Sequence, residues 1–137
     1  MIDAKTAPYG ALLLRLSMGI LFILHGVYLK ALVFGMTGAG KYFATLGFPD
    51  WIAWVVMLYE TIGGLALIFG VYARWVALFL GVHLLVVAYV GHGGNGWLFT
   101  NNGGGYEYPL FWAIACFTLT LLGDGAHALK SDGRSKA

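Results

Sequence analysis

The sequence predicts an all-α, membrane-embedded four-helix bundle, and three observations predict it. First, 60% of the 137 residues are apolar or aromatic and only 10% are charged, more apolar surface than a soluble chain of this length can hide. Second, the apolar residues gather into four runs, at about 11–33, 51–69, 75–90 and 108–122, and crossing the hydrocarbon takes roughly 20 residues, with about 17 as the lower end. Third, the chain lacks the many short alternating segments of a closed barrel, the other architecture that satisfies its backbone in lipid. The 21 glycines sit among Leu, Phe, Trp and Val, so they signal helix packing and loops instead of disorder. A single domain over residues 1–137 is expected.

The first run is long enough to span outright. Residues 1–8 lack a basic segment feeding a short apolar stretch with a small-residue cleavage site, so it is expected to be retained. The second run also suffices, and Pro49-Asp50 gives it a proline turn and an acidic cap. The third and fourth are short unless residues 72–74 and 106–107 lend their apolar stems at the interface. Pro109 fits the first turn of the fourth helix, where a missing N–H does no harm. Trp51, Trp54, Trp75, Trp97 and Trp112 fall at or near span ends, as interfacial aromatics do. Ala66 with Gly70 and Ala77 with Gly81 would let helices approach closely.

A short connection at 70–74 and longer ones at 34–50 and 91–107 imply an up-down-up-down order with both termini on one side. Lys5, Arg74, Lys130, Arg134 and Lys136 fall on that side and only Lys30 and Lys41 on the other, so the positive-inside rule puts both termini in the cytoplasm. Within the first long connection, residues 35–42 nearly spell a phosphate-binding loop. Tyr42 stands where the magnesium-binding hydroxyl belongs, and a membrane helix precedes the motif in place of a strand. The segment is expected to be an outward-facing glycine-rich loop. A net charge of +2 without a basic patch excludes nucleic acid. The single cysteine, Cys116, excludes an internal disulfide and a dithiol couple.

Ionisable groups inside spans are costly and mark partners, pathways or sites. Counting a rise of about 1.5 Å per residue, Arg15 lies roughly 6 Å, Glu60 roughly 14 Å and His83 roughly 12 Å from the inner ends of their helices. These three form the expected intramembrane polar cluster. Arg15 either snorkels to the inner interface or pairs with Glu60. An axial offset of about 8 Å is within reach of an arginine, so Arg15 is expected to be the cation nearest Glu60. His83 is either a hydrogen-bonded packing residue or a participant in proton movement or ligand binding. A second group, His25, Lys30, His92, Trp97 and Glu107, gathers at the outer end. It reads as interfacial polar residues meeting water, or as a cup walled by Trp97, Phe99, Tyr106 and Tyr108 that suits a quinone head group. No metal site is expected, because nothing in the spacing of the two histidines and the carboxylate requires one.

Several of these residues carry a resemblance. Leu14-Arg15-Leu16 with Gly19, Phe22 to His25-Gly26 and Lys30, Leu46-Gly47-Phe48-Pro49, and Glu60-Thr61-Ile62-Gly63-Gly64 running to Phe69-Gly70 and Arg74 are similar to the DoxX family of small four-helix membrane proteins. The similarity extends to Glu107 before the fourth helix and to Gly123-Asp124-Gly125, Ser131 and Asp132 after it, with Asp124 where the family has proline. The resemblance implies Arg15, His25, Glu60 and Glu107 as family positions. It also implies a multi-pass protein of the inner (plasma) membrane whose contacts are the lipid bilayer and a redox partner protein or further copies of itself. The leading expectation is a redox-linked accessory subunit that binds a quinone or docks a redox partner, as in a quinone-linked oxidoreductase or a response to oxidative stress. The alternatives are a small proton or solute transporter, argued from Glu60 and His83, and a structural subunit without its own activity.

Overall fold

The computed structural model describes residues 3–131 and 133. Among the described residues five helices longer than a single turn form: α1 (Ala7–Val33), α2 (Gly35–Thr45), α3 (Ile52–Phe69), α4 (Ala73–Gly91) and α5 (Glu107–Leu122). Three of them, α1, α3 and α4, are long and apolar enough to cross a membrane, while α5 is apolar and shorter at 16 residues. α1 packs on α3 and α5, and α4 on α3 and α5, so these four helices close a ring in which α1–α3 and α4–α5 are the most extensive seams. Phe22, Leu67, Leu80, Leu84, Trp112, Cys116 and Leu119 fill its interior. Leu13, Ile62, Phe79, Phe111 and Leu121 stay exposed on the outside, where lipid tails are as apolar as the core.

α1 is α-helical to Ile23 and continues as a π-helix over Leu24–Val33, with a break at Gly26, whose ψ is −105°. Such a break releases backbone groups that need new partners inside a bilayer. The Thr61 hydroxyl of α3 accepts from the Val27 N–H at 3.0 Å. A side chain at Gly26 would come 2.5 Å from that hydroxyl oxygen, so glycine lets the two helices meet at the break.

The expected glycine-rich loop at 35–42 is instead the start of α2. Gly35, at φ +69°, ends α1, and the chain turns into a helix that packs on the π segment of α1 and on α3. Its Ala39 and Gly40 are buried while Lys41 and Tyr42 are exposed. Small residues on one face and polar or aromatic ones on the other make an interfacial helix, a pattern hidden by the glycine count. Asp50 does not cap α3 with its carboxylate; its backbone carbonyl accepts from Ala53 at 3.1 Å.

Ala77 and Gly81 do sit at a helix seam, with Phe117 of α5 against Gly81. Gly70 is the left-handed residue that ends α3, at φ +67°, and the close approach it permits is to the Arg15 side chain of α1 and the backbone of Ala128. The close α1–α3 contact is made by Gly19 and Gly64, where an added Cβ on either would meet the other's carbonyl oxygen at 2.7 Å. Gly64→Ala is therefore expected to destabilise the bundle by about 1–3 kcal/mol through overpacking, whereas Gly10→Ala, with nothing within 4 Å, should be neutral or stabilising. Thermal unfolding of the two variants in one detergent tests the contrast.

After α5 the chain folds back across the end of the bundle that carries Pro8 and the α3–α4 turn. Ala126 N–H donates to the Pro8 carbonyl at 2.9 Å, and Lys130 pairs with Gly70 and Tyr72 in a single parallel bridge. Asp124 supplies the cap that α4 lacks, its Oδ1 accepting from the Arg74 N–H at 2.9 Å. The described ends of the chain thus share one end of the bundle.

Candidate functional site

The polar cluster inside the bundle differs from the expected one in one member. Glu60 is only 6% exposed and faces the other helices, but its cation is Lys30. The Lys30 ammonium donates to Glu60 Oε2 at 2.5 Å and to the His25 carbonyl at 2.8 Å, and His83 Nε2 lies 3.0 Å from Glu60 Oε1. Three helices therefore contribute one side chain each: α1 Lys30, α3 Glu60 and α4 His83. The carboxylate accepts on both oxygens, which requires the Nε2–H form of His83. The break in α1 explains the second bond of Lys30, because it leaves the His25 carbonyl open to a side-chain donor.

Arg15 is not part of this cluster. It is 1% exposed and neither snorkels nor reaches Glu60. Its guanidinium donates to the carbonyls of Asp124 at 2.5 Å and Ala126 at 3.2 Å, with His127 at 3.5 Å, all in the C-terminal segment. A planar five-donor group suits several carbonyls at once. The segment after α5 curls over the arginine because Gly123 and Gly125 take positive φ, +91° and +73°.

The outer group also divides. Lys30 has gone to Glu60. His25 turns back on α1, with Nδ1 3.0 Å from the Leu21 carbonyl and its ring edge-on to Trp112 at 4.9 Å. His92 contacts the Gly104 carbonyl at 2.9 Å and organises the 93–105 connection. Trp97 and Glu107 do come together. They line an open groove of about 380 Å³ with Phe99, Tyr108, Phe111 and Ile114. Glu107 Oε1 accepts from the Phe99 N–H at 2.8 Å, and its own N–H donates to the Trp97 carbonyl at 3.1 Å, so residues 97–99 are fastened to the start of α5. Trp97 is edge-on to Tyr106 at 5.3 Å. The expected five-residue cup is thus a groove holding two of its members, while each histidine is held by a carbonyl of its own neighbourhood. Among the described residues no group of three histidine, cysteine or acidic side chains could hold a metal ion.

Sequence reasoning placed Lys30 at the outer rim and passed over Asp124 as a partner. For Lys30 a signal was available: helical side chains lean toward the N-terminus, so its stem points back toward the membrane centre.

The DoxX family model matches residues 10–93, which include α1 from Gly10 onward, α2, α3, α4, Arg15 and the whole Lys30–Glu60–His83 cluster. A Bacillus subtilis (strain 168) protein provisionally named oxidoreductase CatD is 35% identical over 81 residues, 59% of this chain and 58% of that protein. The inner membrane protein YqjF of Escherichia coli (strain K12) is 35% identical over 88 residues, 64% of this chain and 65% of YqjF. The chain thus spans less than two thirds of the length of either relative. No solved structure matches it. Its apolar helices contact the lipid bilayer. On the family match over more than half its length and its membrane-length helices, the chain belongs to the DoxX family, as a multi-pass integral protein of the inner membrane.

Proposed function

We propose that this protein is a redox-linked accessory protein of the membrane that binds a quinone head group in the groove beside Glu107. The observation that carries the reading is the groove itself, which joins a carboxylate to the aromatic walls of Trp97, Phe99, Tyr108 and Phe111. Its volume lies in the range of small-molecule sites, and flat aromatic walls suit a planar ring. Glu107 spends one oxygen on the Phe99 N–H, leaving the other to accept from a quinol hydroxyl. The Tyr108 hydroxyl is the complementary donor for the carbonyl of the oxidised form. The provisional oxidoreductase name of one relative supports a redox setting. With a single buried cysteine in its 137 residues, the chain would exchange electrons through the quinone with a redox partner protein or a second copy. Gentle extraction followed by mass spectrometry of bound lipid-soluble molecules is expected to find a quinone. A preparation that carries phospholipid alone, and that gains no quinone when incubated with it, would refute the reading.

The orientation proposed with it puts both termini in the cytoplasm. Charge supports this more strongly once Lys30 is seen to serve Glu60, because Lys41 is then the one lysine left in the outer connections. Arg134 and Lys136 lie outside the described residues. In a Cys116→Ala background, single cysteines at positions 41 and 101 should react with an impermeant reagent in intact cells and one at position 5 should not. The opposite pattern would reverse the orientation.

A further inference from the structure

We propose that Trp97-Leu98-Phe99, the tip of the connection between α4 and α5, is a lipid anchor. It sits at the headgroup–acyl boundary of the leaflet away from the described chain ends, with its side chains inserted among the acyl chains beside α5. These three consecutive residues are 51%, 52% and 64% exposed, a run of large apolar side chains that marks a membrane or partner contact. What adjoins the tip identifies the contact. Trp97 and Phe99 line one groove with Phe111 and Ile114, which stand exposed on the lipid-facing side of α5, so the apolar surface passes from the helix onto the loop without interruption. α5 also leaves room for it. Its 16 residues rise about 24 Å against a hydrocarbon thickness of about 30 Å, and apolar side chains beside its start make up part of the shortfall.

Irregular backbone can approach the hydrocarbon only where its polar groups find partners inside the protein. Those of the tip turn inward, onto the returning side of the loop. The carbonyls of Gly96, Trp97 and Leu98 accept from the N–H groups of Tyr106, Glu107 and Gly105 at 3.0, 3.1 and 2.9 Å, and the Phe99 N–H donates to Glu107 Oε1. A side chain at Gly105 would collide with the Trp97 and Leu98 carbonyls, so glycine there lets the tip lie against the entry to α5. The polar part of the loop is separate. Asn95 Nδ2 donates to the carbonyls of Gly103 and Gly104 and Asn101 Nδ2 to that of Asn95, while Thr100, Asn101 and Asn102 remain exposed. Charge favours lipid over a protein partner, because residues 75–106 contain no Asp, Glu, Lys or Arg. The tip therefore offers no ionic contact and brings no charge toward the hydrocarbon. Lipid contact of this kind holds whether or not a quinone enters the groove.

The test is the accessibility of nitroxides on the full-length protein in phospholipid nanodiscs, attached through Leu98→Cys, Asn101→Cys or Ile114→Cys in a Cys116→Ala background. Oxygen concentrates in the hydrocarbon and a neutral nickel chelate stays in water, so the ratio of their collision rates reads depth. At position 98 that ratio is expected to exceed the value at 101 several-fold and to lie nearer the value at 114. The unsubstituted chain gives a second reading, should the cysteines disturb the loop. A phospholipid carrying a diazirine near the ester end of its acyl chain is expected, on irradiation, to label residues 97–99 as well as Phe111 and to leave 101–103 unlabelled. A ratio at 98 no higher than at 101, or lipid labelling of Phe111 without 97–99, would overturn the proposal. So would a nitroxide at 98 shielded from both reagents, which would place a second copy of the chain over the tip.

Discussion

Glu60→Gln is expected to lower the stability of the bundle by about 3–5 kcal/mol, the usual cost of removing one partner from a buried ion pair. The loss comes from what is left behind. Lys30 would keep its charge with only the His25 carbonyl to receive it, and His83 would face an amide whose donor end can clash with Nε2–H. The double variant with Lys30→Met should recover part of the loss, since it removes the stranded charge as well. Glu60→Gln combined with Arg15→Gln should instead be additive, because Arg15 and Glu60 share no partner. Thermal or denaturant unfolding in a single detergent gives both couplings. A strong Arg15–Glu60 coupling with none between Lys30 and Glu60 would contradict the observed pairing.

Arg15→Ala is the second substitution with a large expected effect, roughly 3 kcal/mol or more, since hydrogen bonds to a charged group are worth about 1.5–3 kcal/mol each. Arg15 donates to carbonyls of Asp124, Ala126 and His127. Without it the segment after α5 loses its side-chain anchor from α1, although its bonds to Pro8, Phe69, Gly70, Tyr72 and Arg74 remain. The effect should be local before it is global. Amide exchange at Ala126, Leu129 and Lys130 is expected to accelerate while that of α3 and α4 is retained. Arg15→Lys should rescue little, because one ammonium cannot span the set of carbonyls that a planar guanidinium reaches. Equal acceleration everywhere would show that Arg15 supports the whole bundle instead of its C-terminal strap.

The spans were legible because lipid enforces a simple rule, that long apolar runs become helices. Those at 11–33, 51–69, 75–90 and 108–122 differ from α1, α3, α4 and α5 by a few residues at their ends. α2 was not legible. Its glycines and short length read as loop, and it is helical because α1 and α3 give its small-residue face a surface to pack on. The cost of a buried charge marked Arg15, Glu60 and His83 as residues needing partners, yet cost does not name the partner. Choosing Arg15 for Glu60 relied on axial distance and on the adjacency of the first two spans, neither of which gives the direction a side chain takes. The actual pairing depends on the Gly26 break, which turns Lys30 inward, and on the glycine turns at 123 and 125, which bring backbone carbonyls to Arg15. Both are backbone features set by packing, and neither is written in the spacing of charged residues. The outer cup failed for a related reason. A shared depth does not give a shared face, and His25 and His92 each found a nearby carbonyl while Trp97 and Glu107 met in the groove.

The central functional claim is that a quinone occupies the groove at the start of α5, and photolabelling tests it most directly. A quinone bearing a photoreactive group, irradiated with the protein in nanodiscs, is expected to label residues 97–99 and 107–114. Excess unmodified quinone should compete, and Glu107→Gln with Phe111→Ala should reduce labelling at least tenfold while leaving the helical content unchanged. Labelling spread evenly over the lipid-facing surfaces of α1, α3 and α4, insensitive both to competitor and to the two substitutions, would contradict the claim.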